Sequence, residues 1–201
     1  SISAVKNSQQ VVTHYVGEYV DISERKLAEE RIRKLAYFDP LTGLPNRALL
    51  MDRLKLSAAS IARSDAICVV LFLDMDNFKS LNDTQGHASG DALLQQVAQR
   101  LEHCVRSIDT VARLGGDEFF ILVHDIGSCD AAVHLAEKLI HIIEQPIAGL
   151  PNAPAISASI GICLFPQEKL DSTPEAIIRC ADLAMYSAKA AGKRRYHLAG
   201  Q

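Results

Sequence analysis

Apolar positions along the chain follow three different rhythms. Residues 67–73 form a continuous apolar run of strand length, as expected of a central strand covered on both faces. Residues 156–165 alternate instead, placing Ile156, Ala158, Ile160, Ile162 and Leu164 on one face of a second strand. Two shorter apolar pieces, 111–114 and 119–123, flank Gly115-Gly116-Asp117-Glu118 and read as the arms of a tight hairpin. Helical spacing marks the remainder. Residues 46–62 put Leu50, Leu54, Ala58 and Ile61 on one face, and residues 131–144 do the same with Ala132, Leu135, Leu139 and Ile142. Residues 92–105 read as a long amphipathic helix after a loop at 85–91. Thr173-Pro174-Glu175 starts a last helix, which runs to about Ala191 and stops at Gly192. The pattern predicts an α/β domain.

The first 36 residues differ. Residues 2–5 and 11–20 are strand-like, joined by the turn-like Asn7-Ser8-Gln9-Gln10, and two strands cannot build a core alone. Residues 24–36 form a highly charged helix with Ala28, Ile32 and Leu35 at heptad-like spacing, and Ser23 is positioned to cap it. A solvated linker helix and a short parallel coiled coil both fit, since two heptads do not separate them.

Composition narrows the class. The 201 residues are 48% hydrophobic and 22% charged with a net charge of -3, which fits a soluble globular protein and not a surface that coats nucleic acid. The longest apolar run is too short to cross a bilayer. The chain begins at Ser1 and reads as an excised fragment without membrane contact. Five scattered cysteines lack C-x-x-C spacing, and seven histidines form no H-E-x-x-H pattern. Reduced thiols, a cytoplasmic setting and no zinc site are expected.

The candidate chemistry is acidic. Asp74 and Asp76 end the apolar strand on one shared face, where ligand sites of open α/β sheets lie. Backbone N–H groups near Asn77 to Lys79, at the start of the following helix, suit phosphate. Asp117 and Glu118 sit at a glycine turn that lets an anionic ligand approach the backbone, and paired carboxylates suit a divalent metal. Taken singly, each has a plain alternative: an ordinary hairpin turn for the one, an Asp-rich loop capping a helix for the other.

Together these strings resemble the GGDEF family, the diguanylate cyclases. Asp39-Pro40-Leu41-Thr42-Gly43-Leu44-Pro45-Asn46-Arg47 is similar to the family's D-x-L-T-G-L-x-N-R segment. Residues 74–91 resemble its D-x-D-x-F-K-x-x-N-D…G-H…G-D pattern, and residues 181–194 its A-D-x-A-M-Y-x-A-K-x-x-G-R-N, with Lys193 and Arg194 in place of the usual Arg-Asn. The resemblance covers residues 37–198. Residues 12–26 resemble the last strand and exit of a PAS sensor domain.

The resemblance implies a palm-like nucleotidyl-cyclase sandwich, a mostly antiparallel central sheet flanked by helices, at residues 38–201. A PAS-like remnant at 1–22 and a signalling helix at 23–37 would precede it. It implies Mg²⁺ or Mn²⁺ on Asp74, the Met75 carbonyl, Asp117 and Glu118. Asp117, Glu118 and Lys189 carry over as catalytic residues. Asn77, Phe78, Lys79, Asn82, Asp91, Gly115, Gly116, Lys189 and Lys193 carry over as contacts to GTP, with Asn82 and Asp91 reading guanine. The implied reaction joins two GTP into cyclic di-GMP with release of two pyrophosphates, in a homodimer of facing half-sites. Arg106 and Asp109 match an R-x-x-D inhibitory site for that product; a surface ion pair is the plain alternative. A catalytically silent GTP or cyclic di-GMP binding module is the competing reading of the whole.

Overall fold

The computed structural model describes residues 2–17, 20–61, 66–149, 155–167 and 170–200. The chain divides into two compact units, Ser1–Ala36 and Tyr37–Gln201. In the first, β1 (Ile2–Lys6) and β2 (Val12–Gly17) form an antiparallel hairpin. Its turn is knotted by the Asn7 carboxamide oxygen, which accepts from the N–H groups of Gln9 and Val11. The helix α1 (Ser23–Tyr37) buries no side chain. The Ser23 N–H is bonded by Asp21, two residues earlier, rather than Ser23 acting as the expected cap. Leu27, Ile32 and Leu35 are each about two-thirds exposed.

The second unit is built on a five-stranded sheet in the order β4-β5-β3-β6-β7. Its strands are β3 (Cys68–Asp76), β4 (Thr110–Gly115), β5 (Glu118–Val123), β6 (Ser157–Phe165) and β7 (Arg195–Leu198). All neighbours are antiparallel except β6 and β7. The apolar run in β3 behaves as its composition requires: every residue is buried. Alternation then sorts its side chains between two cores. Val69, Leu71, Leu73 and Met75 pack with α4 (His87–Cys104) and α5 (Cys129–Ile143). Cys68, Val70 and Phe72 pack with α2 (Arg47–Ile61) and α6 (Pro174–Ala190). Phe72 meets Phe120 edge to face at 5.2 Å, a favoured aromatic geometry. Asp74 and Asp76 therefore lie on the α6 side of the sheet.

Several boundaries differ from expectation. The predicted loop at 85–91 is helical from His87; Gly86, at φ 82, ends α3 (Phe78–Gln85) and α4 begins immediately. In α2 the third buried position is Ser57, not Ala58, and its hydroxyl donates to the Arg53 carbonyl. In α5 the fully buried residues are Ala132, Ala136, Leu139 and Ile143, while Leu135 and Ile142 flank them. β7 has no counterpart in the predicted elements. Thr173 caps α6 as expected, accepting from the Ala176 N–H with Pro174 in the first turn.

One contact fixes how α6 lies on the sheet. A Cβ at Gly161 of β6 would fall 2.0 Å from the Ala181 carbonyl oxygen and 2.2 Å from the Met185 nitrogen. Backbone rests on backbone there. That close approach places Lys189, two turns further along the helix, over the carboxyl end of β3.

Candidate active site

Asp74 stands directly opposite Glu118 in the β3–β5 register. Directly opposed residues of antiparallel strands point to the same face, so two carboxylates meet on the α6 side. Lys189 Nζ lies 2.7 Å from Asp74 Oδ1. One cation does not balance the cluster. Burial pushes the Asp74 carboxyl above its ordinary range, and nearby Asp117 and Asp76 add to it against the opposing pull of Lys189. Glu118 is raised in the same way, first by burial and then by Asp74, Asp117 and Asp182.

This donor set fits a hard divalent cation. Its side-chain groups are oxygens in negative excess. Among the described residues no three acidic, imidazole or thiol side chains converge into a ready metal cage. Mg²⁺ is typically bound through one or two carboxylates and completed by water and substrate phosphates. Asp74 and Glu118, opposed across the strands, with Asp117 and the Met75 carbonyl nearby, are the oxygen groups that could hold such a cation.

The turn carrying Asp117 is held from outside. Gly115 and Gly116 have φ of 144° and 52°, values that favour glycine. The Arg113 fork donates to the Gly116 carbonyl through Nε (3.0 Å) and Nη2 (2.7 Å), while Nη1 reaches Asp39 Oδ1 at 2.9 Å. The Arg113 side chain is only 10% exposed. Asp39 in turn accepts from the Thr42 N–H and hydroxyl. Burial works to raise the Asp39 carboxyl, but the hydrogen bonds from Thr42 and Arg113 outweigh it and hold it below its ordinary value. On the inner side, the Met75 N–H donates to the Asp117 carbonyl at 3.2 Å. The acidic turn is thus tied to both the segment after α1 and the end of β3.

Beside Asp74 and Asp117 opens a cavity of about 480 Å³, lined also by Asn77, Phe78, Lys79 and Lys193. Asn77 adopts left-handed φ of 65° at the start of α3 and caps no N–H with its side chain, leaving the first-turn amides without a side-chain cap. Asn82 lies one turn along. Its Oδ1 is buried with no hydrogen-bond partner, and a Cβ on Gly90 would overlap it at 2.0 Å. An orphaned buried acceptor is costly, and a ligand N–H would satisfy it. Asp91, the next residue, is exposed on α4.

Two predicted residues lie elsewhere. Arg106 and Asp109 are in the loop between α4 and β4, at the opposite end of β5 from Glu118. Asp109 is 8% exposed; its oxygens accept from the Arg106 N–H at 2.9 Å and the His124 N–H at 3.1 Å. The carboxylate therefore fastens this loop to the sheet. Ser57, His124 and Asp109 fall in the order of a hydrolase relay, with 2.7 Å from Ser57 Oγ to His124 Nε2. Yet the Ser57 hydroxyl is spent on Arg53, and His124 Nδ1 is 3.9 Å from Asp109. No activated nucleophile results. A second cavity of about 510 Å³, between α6 and β7, is mostly apolar and has no carboxylate.

Asp76 is the main departure from the strand-end pattern. It shares the face of Asp74, but its carboxylate accepts from Ser157 Oγ, Ser159 Oγ and the Arg194 N–H. Sequence reasoning gave no role to Arg113, Asp39, Ser159 or Glu144. Arg113 had a readable signal, a lone cation at the mouth of an acidic turn.

Comparison with known proteins agrees with this geometry. Residues 36–195 match the family described as Diguanylate cyclase, GGDEF domain, and the chain belongs to that family. It is 46% identical over 169 residues to the bifunctional diguanylate cyclase/cyclic di-GMP phosphodiesterase MucR of Pseudomonas aeruginosa, covering 84% of this chain and 24% of MucR. It is 41% identical over 177 residues to the cyclic di-GMP phosphodiesterase PdeR of Escherichia coli, covering 88% of this chain and 26% of PdeR. The solved GGDEF domain of TpbB (YfiN) from Pseudomonas aeruginosa superposes with a TM-score of 0.76 at 38% identity, over 81% of this chain and 94% of that one. The chain spans about a quarter of the length of MucR and PdeR. The fold is the expected one, a mostly antiparallel sheet flanked by helices. No helix among the described residues is long and apolar enough to cross a membrane.

Proposed function

We propose that residues 38–201 form a diguanylate cyclase, which condenses two GTP into cyclic di-GMP with release of two pyrophosphates. The observation that carries this reading is the opposed pair Asp74 and Glu118, with Asp117 alongside and Lys189 on Asp74, at the mouth of a cavity that also presents Lys79 and Lys193. Each 3′-hydroxyl attacks the α-phosphate of the other nucleotide; two P–O bonds form and two break. Asp74, Asp117, Glu118 and the Met75 carbonyl would hold Mg²⁺ or Mn²⁺, which would supply charge neutralisation and Lewis-acid polarisation at the phosphates. Lys189 and Lys193 hold the triphosphate, and the bare backbone at Gly115-Gly116 admits it. Asn77, Phe78 and Lys79 receive the terminal phosphates at the start of α3. Asn82 and Asp91 read guanine, whose N1–H and 2-amino group are donors that adenine lacks there. Asp117 or Glu118 accepts the proton of the attacking hydroxyl.

One such site holds one GTP, so two copies must face each other. The exposed Ile32 and Leu35 of α1 support pairing through a signalling helix, with residues 1–22 as the end of a PAS-like sensor. Arg106 and Asp109 form a site where product binding restrains the enzyme. A GTP-consuming reaction fits a cytoplasmic setting. Incubation of the chain with GTP and Mg²⁺, followed by mass analysis of nucleotides, tests the reading. Cyclic di-GMP supports it; GTP binding without product identifies a binding module instead.

A further inference from the structure

Asp76 is 2% exposed and ligates nothing in the proposed chemistry. Its third hydrogen bond, 3.0 Å from the Arg194 N–H, reaches the segment that follows α6. Gly192, Lys193 and Arg194 there have φ of 115°, 63° and 51°. Glycine takes such values freely, whereas Lys and Arg do so against a contact between Cβ and the following carbonyl. Two successive side-chain-bearing residues in that state persist only where their surroundings over-determine them.

The surroundings are specific. The Lys193 N–H donates to the Ala188 carbonyl at 3.1 Å. The Arg194 N–H is fixed by Asp76, itself locked by Ser157 and Ser159 of β6. The Arg194 guanidinium forks onto both oxygens of Glu144, at the carboxyl end of α5, with Nη2 at 2.9 Å. Paired parallel hydrogen bonds of this kind fix direction as well as distance. The product of these constraints is the placement of Lys193, which lines the same cavity as Asp74 and Lys79.

We propose that Glu144 and Arg194, braced on Asp76, are positioning residues for Lys193: they hold the left-handed turn that presents its ammonium to the phosphate end of the cavity. The inference rests on the reading of that cavity as a triphosphate site. It assigns a binding role to a salt bridge that lies outside the phosphate cavity.

Calorimetric titration of the full chain with inorganic tripolyphosphate in Mg²⁺ buffer reads the anion site without turnover. Lys193→Ala should weaken binding about tenfold, the loss of one charge-assisted hydrogen bond. Glu144→Gln should weaken it about three- to tenfold with little change in melting temperature, and should raise KM for GTP while leaving kcat. Adding Arg194→Gly to Glu144→Gln should restore affinity toward wild type, because glycine enters the left-handed φ without the strain that the salt bridge offsets at Arg194. Wild-type affinity in Glu144→Gln, or a double variant as weak as Glu144→Gln alone, overturns the positioning role. If wild type binds no tripolyphosphate, or Lys193→Ala binds it normally, the reading of the cavity fails and the inference falls with it.

Discussion

Replacing Gly90 by alanine should damage nucleotide recognition while leaving the fold intact. Gly90 is inside α4 with ordinary helical backbone, so nothing about its dihedral angles demands glycine. What demands it is Asn82: the new methyl would sit 2.0 Å from Asn82 Oδ1, 3.0 Å from its Cγ and 3.2 Å from Phe78 Cζ. Asn82 Oδ1 has no partner to lose, so the carboxamide swings away at small cost. Alanine is also the better helix former by about 1 kcal/mol, which offsets the displacement, and the melting temperature should move by only a few degrees. Recognition has no such compensation. An unmade hydrogen bond in a buried site costs about 1–3 kcal/mol, which converts to roughly 5- to 150-fold at 1.4 kcal/mol per decade. The assay pairs equilibrium binding of a non-reacting GTP analogue with thermal melting. Affinity should drop by that factor and GTP-over-ATP preference should shrink. Unchanged affinity would show that Asn82 does not touch the base. Loss of more than about 3 kcal/mol of stability would show that Asn82 is locked and the pocket is structural.

Gly161→Ala should behave in the opposite way, since the atoms it meets are backbone of α6 at 2.0 and 2.2 Å; overpacking that cannot be relieved by a side chain costs about 3 kcal/mol or more, read by denaturant melts. Asp74→Asn should lower turnover by about 10²–10³ without lowering stability, because it removes one of several crowded carboxylates; Mg²⁺ should raise the melting temperature of the wild type and not of this variant. Asp39→Asn should cost about 2 kcal/mol at neutral pH through weakened hydrogen bonds to Arg113 and Thr42. Because the folded Asp39 carboxyl is depressed below 3.8, its contribution is present above that value and lost as pH falls through the folded one; the wild-type advantage should therefore shrink in melts taken below about pH 4. Arg106→Ala should relieve inhibition by cyclic di-GMP and leave the initial rate unchanged, measured from progress curves with added product.

What was legible in the sequence was what local pattern controls. The run at 67–73 and the alternation at 156–165 announced buried strands, because burial on one face or two leaves a period that can be read directly. Asp74, Asp117 and Glu118 were legible as a cluster because strand ends and glycine turns dictate where acids go. Helicity from His87 was hidden by Gly86 and Gly90, which look like loop residues; Gly90 is there for Asn82, a neighbour eight positions back. β7 was invisible because only four residues long, half of them polar, and held by a parallel partner. Asp76 looked equivalent to Asp74. Only β6, eighty residues on, with Ser157 and Ser159, decides that one acid stays available and the other is consumed.

The Arg113–Asp39 bond joins positions 74 residues apart. Its consequence concerns where the domain can be cut. The acidic turn is not a portable hairpin, since the guanidinium that grips the Gly116 carbonyl is itself oriented by a carboxylate that comes before the first helix of the sheet domain. A chain shortened to begin at α2 would keep all five strands of the central sheet, yet lose the counter-charge of an almost buried arginine. The acidic turn would then be the first part to loosen. Any minimal GGDEF domain carved from this sequence must start before Asp39.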